Sequence, residues 1–192
     1  MMKAMMKTVV VAGLMAGLTG QAVAQALPVE EVHAGYRETG AAKDWVGIYR
    51  PGNEAGEGRI CAIYSRPTQS GAFLAGEPIE KMRGELAAFI NWNEGAAADK
   101  GGEVSFMMGT PVLEGVHESH KLGVDGKASF DLVGVGDRLY VQPKDDADVI
   151  ALIRAGRKMT VTAALEDAAT AQDVYSLFGV VATTALSKEG CR

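Results

Sequence analysis

The stretch LGVDGKASFDLV, residues 122–133, decides the fold class of this 192-residue chain. Its second half alternates between polar and apolar residues, as expected of a strand with one buried face: Lys127, Ala128, Ser129, Phe130, Asp131 and Leu132. Asp125 and Gly126 separate this run from the apolar residues before it. An Asp-Gly pair between two strand-like runs is a strong hairpin signal, because a tight turn needs residues that tolerate positive φ. The stretch predicts antiparallel β structure.

Further strand-like runs occur on both sides of this hairpin. Residues 103–109 (EVSFMMG) and 158–165 (KMTVTAAL) alternate with the same period of two. Four apolar runs, at residues 45–50, 59–65, 85–92 and 137–142, are predicted to be strands without an assigned buried face. Residues 66–84 and 93–102 are rich in glycine and polar residues, so they are predicted to be loops, where binding surfaces commonly lie.

Two short helices are predicted. In residues 144–158, Asp145 or Asp146 is available as the N-cap, Gly156 follows the helix, and three apolar residues have helical spacing: Val149, Leu152 and Ile153. Near the C-terminus, Ser176 is the predicted cap, Gly190 ends the helix, and one mostly apolar face is expected to be buried: Leu177, Val180, Val181, Thr184 and Ala185.

About seven short strands and two short helices predict a mainly β fold, a single antiparallel β-sandwich or barrel-like domain. We expect this domain to occupy residues 25–192, because residues 1–24 have the layout of a secretory signal peptide. Lys3 and Lys7 precede an uncharged run and two small-residue cleavage sites. Cleavage is predicted after Ala24, with cleavage after Ala26 as the alternative.

A membrane anchor is the competing interpretation of this N-terminal segment. A spanning helix needs roughly 20 consecutive apolar residues, whereas this run is shorter and is interrupted by glycines. No cysteine near the cleavage sites could accept a lipid, and no later stretch is apolar enough to span a bilayer. The mature chain is therefore expected in the periplasm, with loose membrane association or secretion left open.

The charge of the mature chain excludes some partners. Removal of residues 1–24 takes away Lys3 and Lys7, which moves the formal charge from −5 to −7. Nucleic acids and anionic membrane surfaces favour basic patches. We therefore expect no nucleic-acid partner.

Cys61 and Cys191 are the two cysteines of the chain. In an oxidising compartment, an even count predicts a disulfide between them. The closed loop of about 130 residues would stabilise the fold by roughly 4 to 5 kcal/mol in the chain-entropy model. A reactive thiol or an intermolecular bridge is the alternative, although neither cysteine has a CxxC partner.

The sequence predicts no catalytic, cofactor-binding or metal-binding residue. HESH at residues 117–120 invites a metal interpretation, but the surrounding glycines favour a strand, in which His117 and His120 would point to opposite faces. GVGDRL at residues 134–139 lacks the third glycine of a dinucleotide loop. The carboxylates at residues 145, 146 and 148 are explained by helix capping and the helix dipole.

Six segments in order resemble the invasion-associated locus B family of exported bacterial proteins. They are DWVGIY at 44, CAIYSRP at 61, GEVSFMMGTPVLEGV at 102, VDGKASFDL at 124, DDADVIALIRAGRKMTV at 145 and VYSLFGVVATTAL at 174, followed by Cys191. The resemblance implies a periplasmic or envelope-associated protein, linked in some bacteria to entry into host cells. It implies no established catalytic residue.

Three hypotheses for function follow. The first is a non-catalytic binding or accessory protein of the bacterial envelope, which acts on an unidentified envelope protein or polymer in host-cell invasion or envelope maintenance. The second is a metal-dependent hydrolase built around His117, Glu118 and His120. The third is a structural envelope protein. The oligomeric state is left open.

Overall fold

Twelve antiparallel strands form one continuous sheet in the described part of the chain. The structure is a computed structural model, and it describes residues 35–52, 58–93 and 102–191. The strands are β1 (Arg37–Ala42), β2 (Trp45–Arg50), β3 (Ile60–Ser65), β4 (Gln69–Leu74), β5 (Glu77–Ile79), β6 (Ala87–Asn93), β7 (Glu103–Met107), β8 (Gly115–Val124), β9 (Ala128–Val135), β10 (Arg138–Val141), β11 (Lys158–Ala164) and β12 (Thr170–Ser176). Their order across the sheet is β1-β2-β3-β6-β7-β10-β9-β8-β11-β12-β4-β5.

The predicted fold class is confirmed, since the protein is mainly β and antiparallel with two helices in the described residues. The predicted number of strands is too low. Residues 66–84, predicted to be a loop, contain β4 and β5, and β4 pairs with β12 about a hundred residues later in the chain. Because this pairing is non-local, the weak apolar pattern of QSGAFL did not indicate it. The predicted signal peptide lies outside the described residues, as does most of the predicted loop 93–102.

The predicted hairpin joins β8 to β9. Asp125 and Gly126 both have positive φ, +50° and +66°, and the Lys127 N–H donates to the Val124 carbonyl at 3.0 Å. The Asp125 carboxylate also accepts hydrogen bonds from the backbone N–H groups of Arg157 and Lys158. These two hydrogen bonds lower the pKa of the Asp125 carboxyl. The turn therefore connects the hairpin to the start of β11.

The sheet curves around one main hydrophobic core. Phe106 on β7 and Tyr175 on β12 are far apart in sheet order, yet their ring centroids are 6.2 Å apart. Trp45 on β2 donates its indole N–H to the Ser176 carbonyl at 2.9 Å. A smaller apolar cluster lies on the other face of β2, β3 and β6: Val46, Ile48, Ala62, Tyr64, Ala87 and Phe89. Both faces of these central strands are thus buried, which explains their apolar residues on both parities.

A strap, residues 80–86, runs from β5 at one end of the sheet to β6 near the other end. The guanidinium of Arg83 forms two hydrogen bonds with the carboxylate of Asp173 on β12, one of them 2.9 Å long. These side chains are only 4% and 0% exposed. The Gly84 N–H donates to the Gly109 carbonyl at 2.7 Å, and Lys81 pairs with Asp167. The strap is therefore fixed at three points.

Helix α1 (Asp146–Ala155) packs Val149, Ile150 and Ile153 into the core. Asp145 occupies the N-cap position, but its side chain makes no capping hydrogen bond. Asp146 instead accepts a hydrogen bond from the Val104 N–H of β7 at 3.1 Å. The predicted side-chain cap is thus wrong, because the carboxylate that the sequence assigns to the helix connects the helix to the sheet.

Helix α2 (Val180–Gly190) begins four residues after Ser176, so the predicted serine cap is wrong. Ser176 ends β12, and Gly179, with φ of +104°, occupies the N-cap position because a side chain there would collide with the Ala42 carbonyl. The predicted buried face is also partly wrong. Val181 is 51% exposed, whereas the residues that face the sheet are mostly polar: Val180, Thr183, Thr184 and Ser187. Within the described ranges, neither helix is long and apolar enough to cross a membrane.

Candidate functional site

The predicted metal candidates, His117 and His120, lie closer together than the sequence suggests. Val116 pairs with Val133 and Lys121 pairs with Asp131, so residues 117–120 stand opposite Leu132 alone. This bulge interrupts the alternation of β8, and the two imidazole centroids are 5.4 Å apart. The prediction that these histidines point to opposite faces is therefore wrong, because extra residues in a bulge change the side-chain direction.

His120 uses both of its ring nitrogens within the fold. Its Nε2 donates to the Leu113 carbonyl at 2.8 Å, and its Nδ1 accepts from the Ala164 N–H at 3.2 Å. The side chain is fully buried, and this burial lowers its pKa from the ordinary value of 6.5. A Cβ at Gly134 would lie 2.1 Å from the same Leu113 carbonyl, so that glycine leaves room for the contact. No lone pair of this neutral imidazole is left for a metal.

His117 and Glu118 do not complete a ligand set around His120. The Nδ1 of His117 accepts a hydrogen bond from the Ser119 N–H at 3.1 Å, and Glu118 is exposed. Across the residues that the structure describes, no three His, Cys, Asp or Glu side chains are grouped so that they could hold a metal ion. His120 therefore connects β8, β11 and the segment before β8 as a structural residue.

Cys61 on β3 and Cys191, which follows α2, form the predicted disulfide, with Cα atoms 6.1 Å apart. Both cysteines are buried. The face of α2 beside the bridge is polar: Thr183 Oγ1 donates to the Trp45 carbonyl at 3.2 Å, and Ser187 Oγ donates to the Ala62 carbonyl at 3.2 Å. The helix is thus held by hydrogen bonds and a covalent bond more than by apolar burial.

A cavity of about 440 Å³ lies on the face of the sheet that is opposite the main core. This volume is within the usual range for small-ligand sites. The pairing register places side chains of β3, β6, β7 and β10 in rows on this face: Ala62 is opposite Asn91, which is opposite Glu103, and Met107 is opposite Arg138. The sheet-face cavity is lined by polar, charged and aromatic residues that include Tyr36, Phe89, Asn91, Asn93, Glu103 and Arg138.

Arg138 lies at one end of the sheet-face cavity. Its guanidinium carbon is 5.8 Å from the centroid of the Phe89 ring, and that ring stacks on Tyr64 with centroids 6.0 Å apart. This contact favours the observed orientation of the guanidinium, since a cation is attracted to an aromatic face. Burial raises the pKa of the nearby Glu85 carboxyl, and the positive charges of Arg66, 3.6 Å from it, and of Arg138 oppose that rise.

The guanidinium N–H groups of Arg138 have no hydrogen-bond acceptor among the described residues. This distinguishes Arg138 from Arg83, whose guanidinium is occupied by Asp173. A guanidinium presents five N–H donors in a fork that matches a carboxylate or phosphate. The end of the cavity near Arg138 is therefore suited to an anionic group.

The other end of the cavity carries acceptors. Glu103 is exposed at the start of β7, and Asn93 is exposed at the end of β6. Asn91 directs its Nδ2 toward Ser105 Oγ at 3.5 Å, and no described residue donates to its amide carbonyl, which can accept from a ligand N–H. The cavity thus has a cationic end and an acidic end, with neutral amides beside the acidic one.

The sequence contains one signal for this site. In residues 89–93, FINWN, the polar residues Asn91 and Asn93 share one parity while the apolar Ile90 and Trp92 share the other. This alternation could have indicated a polar face at the end of the strand, but it does not identify Glu103 or Arg138, whose positions depend on strand pairing.

No protein-family model, curated protein or solved structure matches this chain. The resemblance to the invasion-associated locus B family accordingly stays a prediction from the sequence.

Proposed function

We propose that the protein is an exported, non-catalytic binding or accessory protein of the bacterial envelope, which recognises an envelope component through the sheet-face cavity. The observation that carries this proposal is the guanidinium of Arg138, which is oriented by Phe89 and has no acceptor among the described side chains. An anionic ligand gains affinity from a hydrogen-bond donor that the fold has already positioned.

The geometry of the histidines favours this proposal over the metal-dependent hydrolase. A catalytic metal needs free imidazole lone pairs, and both nitrogens of His120 are hydrogen-bonded to the backbone. Export through the predicted signal peptide at residues 1–24 and location in the periplasm belong to the same proposal. A role in host-cell entry or in envelope maintenance follows from the family resemblance alone.

Site-specific photo-crosslinking in intact cells tests the proposal. A photo-crosslinking amino acid replaces Asn93 at the rim of the cavity, and the control carries it at Lys127 on the exposed β8–β9 turn. We expect one defined product from the Asn93 position, absent from the Lys127 position and reduced by Arg138→Gln. Identical crosslinked products from both positions would contradict a role for the cavity. A product whose yield is unchanged by Arg138→Gln would contradict it as well.

A native, non-reducing mass of the protein recovered from the periplasm tests export and the disulfide together. A chain that starts at Gln25 or Leu27 and is two hydrogens lighter than its reduced form supports the proposal. A chain that retains residues 1–24 and stays in the cytoplasmic fraction contradicts it.

A further inference from the structure

Helix α2 has polar residues toward the sheet and apolar residues toward solvent. The exposed residues of its first two turns are all apolar: Val181, Ala182, Ala185 and Leu186. Phe178, just before the helix, is 60% exposed, and Val181 is 51% exposed. A surface helix normally has the opposite arrangement, with its apolar residues toward the core. Apolar side chains that are grouped in this way on a surface indicate an interaction site.

Three other chain connections lie beside Phe178 at this end of the sheet. The Asp44 N–H, in the β1–β2 turn, donates to the Phe178 carbonyl at 3.3 Å. The Leu177 N–H donates to the carbonyl of Arg157, in the α1–β11 connection, at 3.0 Å. The Arg157 N–H in turn donates to the carboxylate of Asp125, in the β8–β9 turn. The residues that precede α2 are therefore surrounded by the side chains of these connections.

The connections nearest to Phe178 carry three exposed basic side chains: Lys43, Arg157 and Lys158. Among the described residues, no carboxylate forms an ion pair with any of the three. Asp44 is the one acid beside them, so the local charge is +2 in a mature chain of formal charge −7. Phe178, Val181 and the three basic residues form the basic-apolar patch.

Other charges near the basic-apolar patch leave it positive. On the adjoining β8–β9 turn, Lys127 and Asp125 offset each other. The acids at the start of α1, Asp146 and Asp148, are separated from Arg157 by the length of the helix, about 15 Å for its ten residues. This distance exceeds the Debye length of about 10 Å at about 0.1 M salt. The overall acidic charge therefore does not prevent this end of the protein from attracting anions.

Two features favour a lipid surface over a protein as the partner. The exposed apolar side chains of Phe178 and α2 can bury roughly 300 Å², whereas a stable protein interface buries about 800 Å² on each partner. A symmetric dimer centred on Phe178 would bring the basic residues of the two copies together. An anionic bilayer instead supplies phosphates for the basic side chains and hydrocarbon for the aromatic ring.

We infer that the basic-apolar patch docks on the surface of a bilayer that contains anionic phospholipid, with Phe178 and Val181 inserted at the level of the headgroups. This inference goes beyond the proposed function and does not involve the sheet-face cavity. Each basic side chain near such a surface is expected to contribute about fivefold in affinity. Three such contacts and one aromatic ring give reversible attachment.

Cosedimentation of the mature chain with vesicles tests the inference. The vesicles contain phosphatidylcholine alone, or phosphatidylcholine with about one third phosphatidylglycerol as the anionic lipid. We expect binding to the mixed vesicles, with affinity for phosphatidylcholine alone weaker by at least about tenfold. Binding should be lost near 1 M salt, where the Debye length falls to about 3 Å.

Matched variants assign the binding to the patch. Lys158→Gln should weaken it about fivefold, whereas Lys121→Gln, which removes an exposed lysine from β8, should not. Val181→Ser should weaken it as well, and its control is Val135→Ser. Val181 and Val135 are 51% and 53% exposed, and Val135 lies at the end of β9 that is roughly 25 Å from the β8–β9 turn. Unchanged thermal melts show that each variant is folded.

A fluorescence measurement distinguishes insertion from ionic contact alone. In Phe178→Trp, brominated phosphatidylcholine in the mixed vesicles should quench the added tryptophan. The same substitution in Val135→Trp should leave the emission unchanged. Trp45 and Trp92 are buried and contribute the same background to both variants.

Four results would overturn the inference. Equal binding to both kinds of vesicle would show that anionic lipid is not recognised, and equal effects of Lys158→Gln and Lys121→Gln would place the contact elsewhere. Binding without quenching in Phe178→Trp would assign the patch to an acidic polymer or protein. Absence of vesicle binding, together with a dimer that Val181→Ser weakens in sedimentation, would assign it to a second copy of the chain. The Asn93 crosslink tests the proposed function separately, because Asn93 lines the cavity and lies outside the patch.

Discussion

The buried ion pair between Arg83 and Asp173 allows a prediction with a defined magnitude. Arg83→Met leaves the Asp173 carboxylate without its partner at a site where the two side chains are 4% and 0% exposed. Removal of one member of a buried pair typically costs about 3 to 5 kcal/mol, because the remaining charge stays desolvated. For a domain of this size, that loss lowers Tm by roughly 10 °C. The double variant Arg83→Met/Asp173→Leu should recover most of it, since an apolar pair of similar volume needs no compensation.

The loss in Arg83→Met should also depend on pH. Burial raises the pKa of the Asp173 carboxyl, and Arg83 opposes that increase. Without the guanidinium, the folded-state pKa rises further, so the folded state binds more protons than the unfolded state. The free energy of unfolding of the variant should therefore fall as pH rises above the unfolded pKa, near 3.8. At pH 4, where the carboxyl can be protonated, the variant should be closer to wild type than at pH 7.

Urea unfolding of the wild type, Arg83→Met, Asp173→Leu and the double variant at pH 4 and pH 7 measures both effects. Lys121→Met is the matched control, because it removes one member of the Lys121–Asp131 pair, whose side chains are 42% and 49% exposed. Its expected cost is below about 1 kcal/mol. The reasoning is refuted if Arg83→Met costs no more than Lys121→Met at pH 7, or if the double variant is as unstable as the single one.

Three further perturbations have expected outcomes. The double variant Cys61→Ser/Cys191→Ser should lose roughly 4 to 5 kcal/mol in urea unfolding, because the unfolded loop of 130 residues is no longer closed; an unchanged midpoint would contradict this. His120→Ala should cost at least about 2 kcal/mol, because it leaves a buried N–H and carbonyl unpaired, whereas His117→Ala should cost less than about 1 kcal/mol; the reverse order in thermal melts would show that His120 is not the structural residue. Burial raises the pKa of Asp146 from 3.8 to about 6, so its folded state gains protons and wild-type stability should fall as pH rises from 4 to 6. Asp146→Asn should make the free energy of unfolding less dependent on pH between pH 4 and 6. An unaltered pH dependence would contradict the raised pKa of Asp146.

The sequence correctly predicted those elements of the fold that depend on interactions between residues adjacent in the chain. The alternation in residues 127–132 and the Asp125-Gly126 turn depend on neighbouring residues, and both are present in the structure. The polar face of α2 could not be predicted in the same way. Its hydroxyls are buried because the carbonyls of Trp45 and Ala62, more than a hundred residues earlier, accept their hydrogen bonds.

The candidate site was less predictable than the fold, because its residues meet through register. The bulge that brings His117 toward His120 is defined by pairing with β9, which a sequence pattern does not specify. Arg138 likewise reaches Phe89 across β7, from a strand almost fifty residues later. Single residues of such a site have no local signature, so the sequence identified the strands and not the cavity that they form.

The position of the β4–β5 hairpin determines when the sheet can be completed. Residues 69–79 leave the ribosome early, yet the strand beside them is β12, residues 170–176. The hairpin therefore has no lateral neighbour until most of the chain has been synthesised, and closing so long a loop slows folding. Until β12 is in place, the edge of β4 stays unpaired, and an unpaired strand edge can pair with another chain. Pulse-labelled hydrogen exchange during refolding should show protection of β6 and β7 before β4; simultaneous protection would contradict this order.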